Sequence, residues 1–289
     1  MELVIANHIG FCPGVMAVVE LTKATLDLVE NEGKELYCIG SLVHNDMVRD
    51  SFSKRGVIFL GWDAEFEKIE PGYAIISAHG IPEELERRLK VLGFILVDGT
   101  CKKIKKNRQI LKKYGAMGYF TVIVGLANHS EVKALMGTEL FPGVKIRGRV
   151  ISSIEEVKDI PQGFPLLVIA QTTFEFIEYQ KIVSQIRKNY SNTKILNTLC
   201  SEILLRRKEI KTIIEENNCD CGLVIGGQKS ANTISLLNKV EQLGIDAYQI
   251  DEASTFDFKS LAYERVCIFS GASTPVSQIN QVLENIKGK

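Results

Sequence analysis

The sequence lacks several features that would assign it to a class at once. It has no apolar run of the roughly 18 residues that a membrane-spanning helix needs. It also has no net charge, because 35 Lys and Arg residues balance 35 Asp and Glu residues. A neutral chain lacks the basic field on which non-specific nucleic-acid binding depends. We therefore expect no membrane partner and no nucleic-acid partner.

The first residues also lack the marks of a secretory leader. Met1 to His8 contain no basic segment and no long apolar core, so they are predicted to form a first strand. Seven cysteines in 289 residues are too few for a disulfide scaffold. We therefore expect a cytoplasmic protein with reduced thiols, which serve either as buried apolar side chains or as ligands.

Short apolar runs that end in small polar residues recur along the chain, and an amphipathic stretch follows each of them. Examples are Leu166 to Ile169 before Gln171, and Leu223 to Ile225 before Gly226. Continuous apolar strands that alternate with helices are typical of parallel sheets covered on both faces. The pattern predicts an α/β fold with mostly parallel sheets.

Three cysteines at nearly equal spacing indicate how this fold is organised. Cys12, Cys101 and Cys200 each close a predicted strand-to-helix turn. The spacing predicts three similar α/β units, residues 1–98, 99–193 and 194–289, each of which contributes one cysteine.

All the histidines of the chain also follow predicted strand ends. They are His8, His44, His79 and His129. In parallel sheets, ligands bind beyond the carboxyl ends of the strands, so these side chains are candidates for a binding site. His8 is the weakest candidate, because its position before the Cys12 turn suits a supporting role.

Single cysteines from three units fit two kinds of metal site. One is a zinc site with an exchangeable fourth position, and the other is a [4Fe–4S] cluster in which one iron lacks a protein thiolate. Zinc sites usually include a pair of ligands at short spacing, which Cys12, Cys101 and Cys200 do not form. Cys38 and Cys267 lie within apolar runs and are interpreted as core residues.

Two turns rich in small residues suit an anion. Ser230-Ala231-Asn232-Thr233 and Gly271-Ala272-Ser273-Thr274-Pro275 each precede a predicted helix. The first N–H groups and the dipole of a helix favour phosphate, although ordinary N-caps use the same residue types. Together with three of the histidines, these turns predict a phosphate or diphosphate pocket. No Walker or Gly-x-Gly-x-x-Gly sequence points to a nucleotide.

Nine motifs, in order along nearly the whole chain, resemble those of the LytB/IspH family of 4-hydroxy-3-methylbut-2-enyl diphosphate reductases. They are Gly10-Phe11-Cys12-x-Gly14-Val15, Val43-His44-Asn45-x-x-Val48, Ser77-Ala78-His79-Gly80, Asp98-x-Thr100-Cys101, His129-x-Glu131-Val132, Gln171-Thr172-Thr173, Thr198-x-Cys200, Gly226-Gly227-x-x-Ser230-x-Asn232-Thr233 and Gly271-Ala272-Ser273-Thr274-Pro275. The resemblance implies a trefoil of three α/β units around one iron–sulfur cluster. It also implies reductive dehydroxylation of an allylic diphosphate to isopentenyl and dimethylallyl diphosphate, the last step of the non-mevalonate isoprenoid pathway.

The resemblance further implies a role for each site residue. Cys12, Cys101 and Cys200 would hold the [4Fe–4S] cluster. Thr172 and Glu131 would lie at the substrate hydroxyl, with Glu131 supplying protons; the alternative for Glu131 is a helix N-cap carboxylate. The residues that would bind the diphosphate are His44, His79, His129, Ser230, Asn232 and Ser273.

Some positions depart from the family pattern. Ala231 replaces a serine, Ile203 replaces a threonine, and Lys102 follows the second cysteine where proline is usual. These departures leave open a divergent family member, a [4Fe–4S] reductase or lyase that acts on a different anionic substrate. A redox or iron sensor is a third possibility, but Glu131 argues against it because sensing needs no proton donor.

Basic runs follow two of the three cysteines. Lys102 to Arg108 follow Cys101, and Arg206-Arg207-Lys208 follow Cys200. Such runs are either solvated helix faces or a docking surface for a small acidic electron donor, such as ferredoxin or flavodoxin. The second interpretation rests on complementary charge, which speeds protein encounter.

Overall fold

The structure, a computed structural model, describes residues 1–288 of the chain. These residues form two compact units. The terminal unit comprises Met1–Met16, Val43–Phe52 and the segment from Ser201 onward. The internal unit comprises Ala17–Leu42 and Ser53–Cys200. The boundaries near residues 98 and 193 stay a prediction.

The terminal unit is built on one four-stranded parallel sheet in the order β1-β14-β12-β13. The strands are β1 (Glu2–Ile5), β12 (Cys221–Ile225), β13 (Asp246–Ile250) and β14 (Arg265–Ser270). Its longer helices are α7 (Ser201–Asn217), α8 (Ala231–Glu241) and α9 (Val276–Lys287). The sequence placed β1 in a unit of residues 1–98, whereas the structure pairs it with β14. Local hydrophobic pattern predicts that a strand forms but does not determine which strand it pairs with.

Alternate residues of these strands pack on opposite faces of the sheet. Leu223 and Ile268 point to a cluster completed by Ile279 and neighbouring residues of α9. Val224 and Phe269 point to a second cluster, which α7 and α8 complete. Because both faces are covered by helices, every residue of β12 is buried, as the continuous apolar run predicted.

The internal unit contains two more four-stranded parallel sheets. One has the order β3-β2-β4-β5 and the other β11-β10-β6-β9. The strands are β2 (Leu36–Ile39), β3 (Val57–Leu60), β4 (Tyr73–Ile76), β5 (Ile95–Asp98), β6 (Phe120–Val124), β9 (Gly148–Ile151), β10 (Leu166–Ala170) and β11 (Thr193–Ile195). A short antiparallel pair is formed by β7 (Glu139–Phe141) and β8 (Val144–Lys145). The prediction of an α/β fold with mostly parallel sheets is confirmed.

Helices connect the parallel strands of the internal unit. They are α3 (Glu83–Val91), α4 (Lys102–Ala116), α5 (Ser130–Met136) and α6 (Phe176–Asn189). Two helices have residues in both units, α1 (Pro13–Glu32) and α2 (Asp46–Ser53). Within residues 1–288, no helix combines the length and the hydropathy required to cross a bilayer.

The cysteines outside the candidate site are buried. Cys38 is fully buried, which confirms its interpretation as a core residue. Cys219 and Cys267 form a disulfide, with their Cα atoms 6.1 Å apart. The expectation that all thiols are reduced is therefore wrong for this pair. Cys219 lies in the loop that leads into β12, beside Cys267 in β14. Because the two cysteines are 48 residues apart in the sequence, no local pattern indicated that they are close.

Candidate functional site

The predicted site residues divide between the two units. The terminal unit holds Cys12, His44, Ser230, Asn232 and Ser273. The internal unit holds His79, Cys101, His129, Glu131, Thr172 and Cys200. Within each unit, these residues follow strands or begin helices, as the sequence predicted.

Glu131 is a buried carboxyl group in the first turn of α5, with 2% of its surface exposed. One carboxyl oxygen accepts a hydrogen bond from the Thr172 backbone N–H at 2.7 Å, and the other accepts from the Thr172 hydroxyl at 2.7 Å. Burial raises the pKa of Glu131 to about 7, although both Thr172 hydrogen bonds act to lower it. The carboxyl group therefore titrates close to neutral pH.

His129, rather than Glu131, occupies the N-cap position of α5. Its Nδ1 atom accepts a hydrogen bond from the Glu131 backbone N–H at 3.2 Å. Because an imidazole satisfies this end of the helix, the Glu131 carboxyl does not serve as the N-cap of its own helix. It is directed to Thr172, which follows β10.

Thr172 also contacts the backbone of a predicted ligand. Its carbonyl oxygen accepts a hydrogen bond from the Cys200 N–H at 2.8 Å. A single residue, Thr172, is thus bonded to the buried acid through its N–H and hydroxyl groups and to Cys200 through its carbonyl group.

The two histidines of the internal unit lie side by side. The ring centroids of His79 and His129 are 5.8 Å apart, with the ring planes nearly perpendicular. The residue before His79, Ala78, accepts a hydrogen bond from the Cys101 N–H at 3.0 Å. The structure therefore brings all six predicted residues of this unit into one set of neighbouring turns.

In the terminal unit, Ser273 and His44 are in direct contact. The Ser273 hydroxyl donates a hydrogen bond to the His44 carbonyl oxygen at 3.1 Å. A Cβ atom on Gly227 would lie 3.0 Å from the same carbonyl, so the loop that leads to Ser230 also passes close by. Burial lowers the pKa of His44, which favours a neutral imidazole.

The start of α8 contains the clearest sign of ligand binding. Ser230 is the N-cap, and its hydroxyl oxygen accepts from the Thr233 N–H at 3.3 Å. Asn232 is 6% exposed, and neither its amide nitrogen nor its amide oxygen has a hydrogen-bond partner. Buried amides are almost always hydrogen-bonded, so this side chain is placed to bind a group supplied by a ligand.

The three predicted cluster cysteines share one local structure. Cys12, Cys101 and Cys200 are half-buried, lie outside the Cys219–Cys267 disulfide, and immediately precede α1, α4 and α7. Thiolates are the usual ligands of iron–sulfur clusters, and a helix N-terminus favours negative charge. By donor chemistry, the three cysteines fit such a cluster. Residues 1–288 contain no group of three or more His, Cys, Asp or Glu side chains positioned to hold a metal ion.

The two basic runs differ in the structure. Arg206 and Arg207 are only 5% and 7% exposed, so neither the solvated-face nor the docking interpretation holds for them. Both side chains are buried, and Arg206 donates to the carbonyl of Ser270 at the end of β14, which sequence spacing did not reveal. In the other run, Lys102 and Lys106 are exposed on α4.

Two contacts of α7 were not predicted as part of the site. Arg206 donates to the Gly10 carbonyl at 2.8 Å, and Glu209 accepts from the backbone N–H groups of Asn7 and His8. His8 is thus in contact with Glu209, and its supporting role stays a prediction. The only sequence signal for these contacts was the presence of charged residues among the apolar residues of α7.

The chain is similar to known proteins over nearly its whole length. Residues 3–287 match the family model described as LytB protein. A protein of Geobacter sulfurreducens is 33% identical over 293 residues, with 99% of this chain and 97% of the relative covered. One of Aquifex aeolicus is 31% identical over 290 residues, with coverage of 99% and 96%. Both relatives are named 4-hydroxy-3-methylbut-2-enyl diphosphate reductase.

Two solved structures are also similar. The E-1-hydroxy-2-methyl-but-2-enyl-4-diphosphate reductase from Plasmodium falciparum superposes with a TM-score of 0.87 at 22% identity, covering 98% of this chain and 87% of that one. This likeness shows a shared fold. A second structure, of an (E)-4-hydroxy-3-methyl-but-2-enyl diphosphate reductase described as the terminal enzyme of the non-mevalonate pathway, gives 0.74 at 29% identity, with coverage of 100% and 99%.

Proposed function

The chain belongs to the LytB protein family, and from that premise we propose that it is an iron–sulfur 4-hydroxy-3-methylbut-2-enyl diphosphate reductase. Its reaction would be the reductive loss of the allylic hydroxyl group, which yields isopentenyl and dimethylallyl diphosphate. The C–O bond breaks, two electrons and two protons enter, and the oxygen leaves as water. The observation that carries this proposal is the buried Glu131 carboxyl bonded to Thr172, which is itself bonded to Cys200.

The proposed ligands of a [4Fe–4S] cluster are Cys12, Cys101 and Cys200. When bound, the cluster would supply the electrons and a Lewis-acidic iron. Support comes from the shared position of the three thiols at helix starts and from the chemistry of thiolate ligands.

The proposed diphosphate ligands are neutral hydrogen-bond donors. They are His44, His79, His129, Ser230, Asn232 and Ser273. The unpartnered amide of Asn232 supports this role, since a phosphate oxygen would satisfy its N–H group. The lowered pKa of His44 is compatible with this role, because a neutral imidazole still donates one N–H.

Glu131 is proposed to hold the proton that enters at carbon. With a pKa of about 7, the carboxyl group is protonated in a large fraction of molecules at neutral pH. Negative charge from a diphosphate would raise this fraction further. Thr172, whose hydroxyl now donates to Glu131, orients the acid and faces the substrate hydroxyl in this proposal. General acid catalysis of this kind contributes roughly 10²–10⁴-fold to a rate.

We further propose that a small acidic electron donor, such as ferredoxin or flavodoxin, docks beside α4. Lys102 and Lys106 are exposed on this helix, which begins directly after Cys101. Complementary charge would speed the encounter and make it sensitive to salt. A cytoplasmic location remains part of the proposal.

The test is anaerobic purification followed by an assay with the allylic diphosphate and a chemically reduced donor. We expect about four iron and four sulfide per chain, and conversion to the two isomeric products. Cys101→Ser should lose most of the iron, whereas Cys38→Ser, which changes a core thiol of the same unit, should retain it.

Three results would contradict the proposal in different ways. Bound zinc, or equal iron loss from both cysteine variants, would contradict the cluster assignment. A brown, iron-loaded protein that binds pyrophosphate but leaves the allylic substrate unchanged would favour the alternative, a family member with a different anionic substrate. Under this alternative, Ala231 is the first position expected to matter for the choice of substrate, because it lies at the start of α8 beside Asn232.

A further inference from the structure

Helix α7 holds the segment that leads into Cys12 at two points. The first is Glu209, which is about nine-tenths buried at its side chain. One of its oxygens accepts from the Asn7 backbone N–H at 2.6 Å and from the Asn7 side-chain amide at 2.8 Å. The other accepts from the His8 backbone N–H at 3.0 Å and lies 2.7 Å from His8 Nδ1.

The second point is Arg206, one turn earlier on the same helix. Its guanidinium donates to the Gly10 carbonyl at 2.8 Å and to the Ser270 carbonyl at 3.1 Å. Gly10 in turn donates its N–H to the Ser270 hydroxyl at 2.8 Å. Gly10 has a positive φ of 75°, a conformation that other residues rarely adopt, so the turn before Cys12 has a defined and unusual path.

The spacing of these two residues explains how one helix can do this. Residues three apart lie on the same face of a helix, so Arg206 and Glu209 meet the same extended segment. The carboxylate binds N–H groups and the guanidinium binds carbonyl groups, so both polar edges of the peptide are held. The contacts cover Asn7, His8 and Gly10 and end two residues before Cys12.

We propose that Arg206 and Glu209 are positioning residues that fix the Cys12 thiol for its role as a ligand. Burial of a guanidinium and a carboxylate is unfavourable unless their hydrogen bonds are made, so the contacts form together with the turn. Cys12 itself is tied to the loop that follows β14, because its N–H donates to the Ala272 carbonyl at 2.9 Å. The inference rests on the proposed function only where it calls Cys12 a ligand.

The test measures the position of the thiol directly. Full-length protein, freshly stripped of iron under anaerobic conditions, is alkylated with iodoacetamide, and the rate at each cysteine is read by peptide mass spectrometry. In Arg206→Met, the rate at Cys12 should rise roughly tenfold, while the rates at Cys101 and Cys200 stay unchanged. Lys208→Met, which removes an exposed charge from the same helix, should change none of the three rates.

Conservative variants keep the proposal testable if Arg206→Met folds poorly. Arg206→Lys retains the charge and one donor direction, so its Cys12 rate should lie between those of the wild type and Arg206→Met. Glu209→Gln should raise the Cys12 rate several-fold, whereas Glu216→Gln, at an exposed position of α7, should not.

Two results would overturn the positioning role. One is an unchanged Cys12 rate in both Arg206→Met and Glu209→Gln. The other is an equal rise at Cys12, Cys101, Cys200 and the buried Cys38, which would mean general loosening of the fold. Because alkylation requires neither cluster nor substrate, these outcomes do not depend on the assay of the proposed reaction.

In the iron-loaded protein, the same variants should release iron to a chelator faster than Lys208→Met does. A release rate equal to that of the control, together with a raised Cys12 alkylation rate, would contradict the assignment of Cys12 as a ligand and leave the positioning contacts intact. The failures of the two proposals are therefore distinguishable.

Discussion

Glu131 of the internal unit and Asn232 of the terminal unit are held in opposite ways. In the internal unit, both carboxyl oxygens of Glu131 are bonded to Thr172, and the backbone of Thr172 is bonded to Cys200. In the terminal unit, the amide of Asn232 is buried with no partner for either of its polar atoms.

This difference corresponds to two functions, proton transfer and anion binding. A group that transfers a proton must have its pKa and orientation set before the substrate arrives; in Glu131, burial raises the pKa and the bonds to Thr172 fix the orientation. A group that binds an anion must instead keep its hydrogen-bonding capacity for the ligand, at a cost in the stability of the ligand-free protein. The comparison assigns proton transfer to Glu131 and binding to Asn232.

The largest expected effect is on turnover. Glu131→Gln keeps the size of the side chain but removes the transferable proton, so turnover should fall by roughly 10²-fold or more. Iron content should stay near that of the wild type. Glu178→Gln, an exposed substitution in the same unit, serves as the control in the same steady-state assay. A Glu131→Gln enzyme that works at nearly the wild-type rate would remove the distinction between Glu131 and Asn232.

The second effect is on the pH dependence of stability. The pKa of Glu131 is about 7 in the folded protein and 4.5 in an ordinary environment, so the folded state binds the extra proton between these values. The stability that this one group contributes is thus fully present below about pH 4.5 and is lost as the pH rises through 7, by about 3 kcal/mol in total.

Urea unfolding at pH 5 and pH 8 measures this effect. The loss of stability over that interval should be smaller in Glu131→Gln than in the wild type, because the variant lacks the titrating group. Equal losses in the two proteins would show that the Glu131 pKa is not raised.

A smaller effect is expected on anion binding. Asn232→Leu removes a proposed donor to the diphosphate and should weaken pyrophosphate binding by about 1.5–3 kcal/mol. It should not destabilise the ligand-free protein, since it also removes two buried polar atoms that lack partners. Thermal unfolding with and without pyrophosphate measures both quantities, because a ligand of the folded state raises its stability. Asn238→Leu, an exposed position on the same helix, is the control.

The smallest effect is expected at Ser273. Ser273→Ala breaks the hydrogen bond to the His44 carbonyl and removes one proposed donor, so pyrophosphate binding should weaken by about 1 kcal/mol. The same thermal measurement applies. If Ser273→Ala weakens pyrophosphate binding as much as Asn232→Leu does, the unpartnered amide of Asn232 does not identify the main anion-binding side chain.

The sequence predicted the fold class and the local position of every proposed site residue. Both depend on local pattern, since apolar runs form buried strands and small polar residues end them, as at Ala170 before Thr172. It did not predict the partner of β1, the Cys219–Cys267 disulfide or the burial of Arg206. These features depend on which distant elements pack together, and no local pattern contains that information.

For the pKa of Glu131, the sequence predicts the direction of the shift, because negative charge and desolvation in a closed site favour the protonated carboxyl. The sequence indicated a carboxyl group near a strand end and the motif indicated its role. The structure adds the extent of the burial, which is nearly complete, and the contact with Thr172 after β10. The near-complete burial seen in the packed structure is the physical reason that this carboxyl titrates near neutral pH.

The most direct test of the division of roles is pyrophosphate binding to Glu131→Gln and Asn232→Leu, measured side by side by calorimetry. The account predicts that Glu131→Gln binds pyrophosphate about as tightly as the wild type, while Asn232→Leu binds it at least roughly tenfold more weakly. Equal weakening in the two variants, or weakening in Glu131→Gln alone, would contradict it.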